Sequence, residues 1–413
     1  MNGKTPLLAI IGGTPAFGEP LHVGRPNIGD RDRLMERIGE ILDRRWLTND
    51  GPMVREFEAT LSEILGVRHV IAMCNGTVAL EIAIRAAGLR SEVIVSPFTF
   101  VATAHALQWQ QITPVFCDVD PLTHNLDPRR VEEAITDRTS GILGVHLWGR
   151  PAPVEELTQI AESRGLALLF DAAHAFGCSY RGRTIGAFGV AEVLSFHATK
   201  FVNAFEGGAI TTDDDGFAET ARLMRNHGFA DYDEVSHVGT NGKMTEVSAA
   251  MGLTSLESRD EFFVANRRNY EDYRAGLDGI DGVKLIAYDD DELCNRQYVV
   301  IEIDDSAGLS RDDLQRVLWA EHVLARRYFF PGCHRMEPYR SFFPEAGAGL
   351  PETERLVLRV LALPTGTSID SDMVAVITEI IRRAIADGPQ LGRRMKAMGS
   401  AGMDLSAPAP RNA

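Results

Sequence analysis

Between residues 69 and 210, short uninterrupted apolar runs alternate with stretches of helical spacing. The runs "HVIAMC" (69–74), "VIVSPFTF" (93–100), "PVFCDVD", "GILGVHLWG" and "LALLFD" predict strands. Each is apolar on both faces, as a strand covered from both sides must be. Between them, "GTVALEIAIRAAG" predicts a buried helix that begins at Gly76-Thr77, carries a Glu81–Arg85 pair on its polar side and stops at Gly88. "DPRRVEEAI" predicts a helix capped by Asp127 with Pro128 at its first position. "VEELTQIAES" puts Val154, Leu157, Ile160 and Ala161 on one face and ends at Gly165. Strands of this kind in alternation with helices predict an α/β class with a mostly parallel sheet.

From about residue 256 the pattern changes. "EFFVANRRNYEDYRAGL" predicts a long connecting helix, and "VKLIAY" and "QYVVIEID" predict half-exposed strands. "SRDDLQRVLWAEHV" and "DSDMVAVITEIIRRAIADG" predict a capped helix and an amphipathic one. The expected organisation is a segment 1–30 with too little pattern to place, a large domain 31–255, a smaller α+β domain 256–390, and a disordered tail 391–413. The tail expectation rests on its Gly, Ala, Ser and Pro content without an apolar period.

Composition narrows the function classes. The chain has 413 residues, 45% hydrophobic and 24% charged, enough for a sizeable core. A formal net charge of −16 argues against a nucleic acid or an anionic membrane as partner, since both select basic faces. The five cysteines (Cys74, Cys117, Cys178, Cys294, Cys333) form no CxxC pair, which suggests reduced thiols and a cytoplasmic protein. No segment reaches the roughly 18 apolar residues of a membrane span, and no metal site is expected.

Ligands of open α/β sheets sit beyond the carboxyl ends of the strands, so the polar residues there carry the candidate chemistry. The first strand runs into Asn75-Gly76-Thr77, a helix N-terminus that suits an anion. "LALLFD" ends in Asp171, followed by His174. The run "VLSFHATKFVNAFEGGAI" brings Ser195, His197 and Lys200 to the end of a further strand (192–197), followed by Glu206-Gly207-Gly208. Taken singly, each has an ordinary structural reading: a helix cap, a packed histidine, a surface lysine whose stem is buried. Together they suit pyridoxal phosphate (PLP). A lysine of lowered pKa forms a Schiff base with the aldehyde, a carboxylate pairs with the pyridinium nitrogen, and the helix N-terminus holds the phosphate. Phe100 could stack on the ring.

The chain resembles the PLP-dependent nucleotide-sugar aminotransferases of the DegT/DnrJ/EryC1 group, within the aspartate-aminotransferase superfold (PLP fold type I). The resemblance runs over about residues 20 to 390, through "NGTVAL", "PFTFVAT", "DVDPLTHNLD", "DAAHAFGCSYRGRTIGAFG", "SFHATKFVNAFEGGAITT", "MRNHGF" and "LALPTG". It implies a three-layer large domain. It makes Lys200 the catalytic Schiff-base lysine, Asp171 the partner of the ring nitrogen, and Gly76, Thr77 and Ser195 the phosphate ligands, with Phe100 on the ring. His174 stands where many members have glutamine, beside the cofactor's ring hydroxyl. Asn241 matches an asparagine that reaches a neighbouring subunit's phosphate site, although "GTNGKM" departs from the family's "GxNYRM" at Gly242 and Lys243. That implies a homodimer with shared sites. His334 in "PGCHRMEPY" resembles a substrate-side position.

Glutamate is the implied amino donor, and a dTDP- or UDP-linked keto-deoxysugar the implied acceptor. "DAAHA" together with "SFHATKFVNAFEGG" is closer to members that aminate carbon 4 than to those acting on carbon 3, where "DAAQA" is more familiar. Three rivals remain. Sugar dehydratases of this fold carry histidine in place of the lysine. A cysteine desulfurase would need a reactive loop cysteine, for which Cys333 is the candidate. A non-catalytic sensor of PLP or a nucleotide sugar would not need lysine, aspartate and phosphate cradle together.

Overall fold

The structure is a computed structural model that describes residues 7–400. Its centre is a seven-stranded sheet of β1 (His69–Met73), β2 (Glu92–Val95), β3 (Thr113–Phe116), β4 (Thr139–Val145), β5 (Ala167–Asp171), β6 (Ala191–Ser195) and β7 (Gly208–Thr212). The strands lie in the order β1-β7-β6-β5-β4-β2-β3. β7 runs antiparallel to both its neighbours, and every other pairing in the sheet is parallel. The carboxyl ends of β1, β2, β5 and β6 therefore meet along one edge, joined there by the start of β7.

Helices cover both faces, and their boundaries follow the local chemistry. Helix α1 (Gly76–Ala86) is capped by Asn75, whose side chain accepts from the Val78 amide. After it, Gly88 takes a left-handed φ of 67° that ends the run. The expected Glu81–Arg85 pair is replaced by a bond from Arg85 Nε to Gln110, 3.0 Å away. Asp127 caps Pro128–Ala134, and in Val154–Arg164 Val154, Leu157, Ile160 and Ala161 are the buried residues, as the spacing requires.

One strand is shorter than expected. β2 stops at Val95 and residues 96–100 form a loop that opens helix α2 (Val101–Gln108). Pro97 has no amide to give a ladder, and Ser96 turns its hydroxyl to the Phe98 amide at 3.1 Å. Likewise β6 ends at Ser195, so His197 and Lys200 lie in a loop rather than on the strand. The loop is held at its base, where Phe196 N donates to Gly207 O at 2.9 Å and Ala204 N to Phe196 O at 2.8 Å.

A second, antiparallel sheet of β8 (Val283–Leu285), β9 (Val299–Ile303) and β10 (Val360–Leu363) packs with the long helices Arg259–Leu277 and Ser371–Ala386. Its core also takes up Leu8, Ile10 and Leu21, so this part of the unplaced N-terminal segment packs with this sheet, while Asn27 bonds to Phe201 O and Asn203 in the large domain. Leu21–His22 pairs in parallel with Val323–Leu324. The disordered-tail expectation fails for its first residues. Gly388–Ser400 is a helix whose Leu391 and Met395 are buried in the same core; residues 401–413 lie outside the described residues. Asp118, after β3, ties the two sheets by accepting from the Glu352 and Thr353 amides at 2.9 and 2.8 Å.

Candidate active site

Asp171 is the last residue of β5, and its carboxylate is buried. One oxygen accepts from the Ala173 amide at 3.0 Å and the other from the Thr103 hydroxyl at 2.8 Å. Burial pushes the carboxyl above its ordinary range, against the pull of these two donors and of Lys200. Lys200 projects from the pinned loop after β6, where its own amide donates to His197 O at 2.8 Å. Burial pushes its ammonium down to about 8, and the Asp171 charge opposes that shift. About half of the amine is thus available as a nucleophile and base near pH 8, where an ordinary lysine would be almost wholly protonated.

His174 completes this end of the site. Its ring lies parallel to Phe329 at 5.8 Å and tilted against Tyr298 at 4.7 Å. Its Nδ1 accepts from the Trp148 amide at 3.3 Å, at a residue held in a left-handed turn (φ 57°). Burial, and then the Lys200 charge, hold the imidazole well below its ordinary pKa. A neutral ring that accepts at Nδ1 carries its proton on Nε2, so His174 is a fixed donor at that atom.

The other end is a cradle of backbone. The first amides of a helix have no intrahelical acceptor, and Asn75 takes that of Val78, leaving those of Gly76 and Thr77. A Cβ on Gly76 would lie 3.2 Å from Ser195 Cβ, and one on Gly208 would lie 2.6 Å from Gly76 N. Glycine at 208 lets β7 close on the cap; at 76 it keeps the cradle open towards Ser195. A partly buried lysine, a hydrogen-bonded carboxylate, a neutral histidine donor and an open helix N-terminus are a donor set that fits PLP.

The remaining expected residues fall in different places. Phe100 caps α2 without a side-chain bond, and its ring is 56% exposed, 6.5 Å from Phe329. Asn241 is exposed on a short bridge to Asn226, while neighbouring Lys243 donates to the Asn226 side chain at 2.9 Å. His334 is only 2% exposed, and its Nε2 is committed to Glu354 at 2.8 Å. Its Nδ1, also buried, has no hydrogen-bond partner among the described residues. Cys333 is buried with its thiol pushed up to about 12, donating to Thr99 O at 3.5 Å, which leaves the desulfurase reading without a reactive thiol there.

Sequence reading missed Thr103, Trp148, Tyr298 and Phe329. Thr99 and Thr103, four apart in "PFTFVAT", were the one available signal. The aromatic wall around His174 comes from distant loops and left none.

The sheet order and the lysine–aspartate pair define the class of protein: an aspartate-aminotransferase-like α/β enzyme fold. Residues 29–382 match the DegT/DnrJ/EryC1/StrS aminotransferase family, and the chain belongs to it. It is similar to a dTDP-4-amino-4,6-dideoxy-D-glucose transaminase of Shigella dysenteriae, at 36% identity over 364 residues, 88% of this chain and 99% of that protein. It is similar also to a GDP-perosamine synthase of Escherichia coli O157:H7, at 30% identity over 88% of this chain and 98% of that one. Among solved structures, DesI with its TDP-sugar product superposes with a TM-score of 0.90 at 50% identity, covering 94% of this chain and 99% of that one. The protein is therefore a sugar aminotransferase.

Proposed function

We propose that the chain binds PLP and uses it to transfer an amino group from glutamate to carbon 4 of a dTDP- or UDP-linked keto-deoxysugar, in aminodeoxysugar biosynthesis. The observation that carries this reading is the Lys200 amine, lowered to a pKa of about 8 and sensing the charge of the buried Asp171, on the same sheet edge as the open end of α1. Carbon 4 and the deoxysugar are supported by the 36% and 50% identical relatives, one a transaminase named for a 4-amino-4,6-dideoxy sugar and the other bound to a TDP-sugar.

When bound, PLP supplies an electron sink for the carbon that exchanges its amino group. The chain's residues do the rest. Lys200 would bind the aldehyde and supply the base and acid that move the proton. Asp171 would face the ring nitrogen and favour its protonated form. His174 would donate from Nε2 to the ring oxygen, and Gly76, Thr77 and Ser195 would hold the phosphate.

Asn241 is exposed, as a residue reaching a neighbouring subunit would have to be. Tyr232, Val235 and Val238, earlier in the same segment, are 96%, 57% and 73% exposed, and this apolar surface supports the reading of a homodimer with shared sites. No helix among the described residues is long and apolar enough to cross a membrane, which fits a cytoplasmic enzyme. The direct test is to incubate the protein, PLP and glutamate with dTDP-linked 4-keto- and 3-keto-6-deoxysugars and locate the new amine by NMR. Amination at carbon 4 is expected. Amination only at carbon 3 would reassign the ring position, and no 2-oxoglutarate with any keto-sugar would refute the transfer.

A further inference from the structure

Thr103, in the first turn of α2, is fully buried, and Thr99, in the loop before it, is 1% exposed; the Thr103 hydroxyl bonds away from the usual helix acceptor. A threonine at the third position of a helix commonly bonds the carbonyl four residues back. For Thr103 that carbonyl belongs to Thr99, and it is taken by the Cys333 thiol at 3.5 Å. The Thr103 hydroxyl points instead at Asp171 Oδ2, 2.8 Å away, and the Thr99 hydroxyl lies 3.0 Å from Thr103 Oγ1.

Proton counting fixes the direction of this chain. A carboxylate only accepts, and a hydroxyl has one proton. Thr103 must therefore give its proton to Asp171, and Thr99 must give its own to Thr103. Donors in series polarise one another, which makes the terminal bond stronger than a lone hydroxyl would supply. Asp171 needs such support, because burial alone favours its neutral form. A carboxylate deprived of the donor becomes more basic and draws the proton back from any ring nitrogen it faces.

We propose that Thr99 and Thr103 form a hydroxyl relay that holds Asp171 as a carboxylate and so keeps the proton on the ring nitrogen of the bound cofactor. Thr103 is then a positioning residue, acting through Asp171 without touching substrate. The inference rests on the reading that PLP occupies this site.

The test loads wild type, Thr103→Val, Thr103→Ser and Thr99→Val with PLP labelled with 15N in the ring. The ring-nitrogen chemical shift is read in each, together with kcat and KM. In Thr103→Val the shift moves toward the unprotonated value and kcat falls about 10- to 100-fold, as for loss of a bond to a buried charge. KM for the amino donor stays within a few-fold. Thr103→Ser, which keeps the hydroxyl but opens a methyl-sized gap, returns both readouts to near wild type. Thr99→Val moves them in the same direction by less, and stands as the test if Thr103→Val does not fold. A wild-type shift in every threonine variant, or Thr103→Ser as impaired as Thr103→Val, overturns the relay. A wild type that takes up no PLP overturns the functional reading itself.

Discussion

The two ends of the active site are built on opposite principles. At the Asp171–His174–Lys200 end the polar groups are drawn into the protein, and Asp171 and His174 each already hold specific hydrogen bonds. Burial there changes what the groups are: the lysine loses proton affinity, the histidine stays neutral, and the carboxylate must be held ionised. At the Gly76–Thr77–Ser195 end nothing is tuned. Backbone amides and one hydroxyl stand open beside a glycine, with Thr77 exposed. On the proposed function, the first end would decide reactivity and the second occupancy. Substitutions at the two ends should therefore damage different measured quantities.

Asp171→Asn should give the largest effect, since it removes the charge that faces the ring nitrogen and leaves its donors mismatched. We expect kcat to fall about 100- to 1000-fold, the scale for breaking a buried charged pair. Because the Asp171 charge raises the Lys200 pKa, the same variant should move the pH midpoint for covalent cofactor uptake below the wild-type value. Stopped-flow absorbance over pH checks both. An unchanged midpoint would mean that the carboxylate does not act on the lysine.

Ser195→Ala should do less and do it elsewhere. Losing one half-buried hydroxyl to a phosphate weakens PLP binding about 10-fold, with kcat of the saturated enzyme within about two-fold. Equilibrium dialysis and steady-state kinetics separate the two numbers. A fall in kcat comparable to that of Asp171→Asn would erase the distinction between the ends.

The two ends were also legible in the sequence to different degrees, for physical reasons. Asp171 and Lys200 could be found because each follows an apolar run that has to be a buried strand, and Gly76 because a helix must begin there. The extent of β2 was misread because "SPF" continues an apolar run while Pro97 cannot continue a ladder. His334 was expected on the substrate side only because its segment resembles that of the family, and its hydrogen bond with Glu354 is a tertiary fact. The helix Gly388–Ser400 escaped notice because its order comes from seating Leu391 and Met395 in a core shared with the far N-terminal segment. Thr103 reads as an ordinary helix residue until Cys333, contributed from far along the chain, donates to the Thr99 carbonyl that its hydroxyl would otherwise bond.

The central claim is that burial, countered by Asp171, prepares Lys200 to react near neutral pH. The measurement that tests it most directly is the rate at which cofactor-free protein develops the absorbance of Lys200-bound PLP as a function of pH, with Lys200→Ala as the blank. The account predicts a rate that rises with pH to a midpoint near 8, as the ammonium loses its proton, and no such band in the variant. A midpoint near 10.5, the ordinary lysine value, or a band that persists in Lys200→Ala, would contradict it.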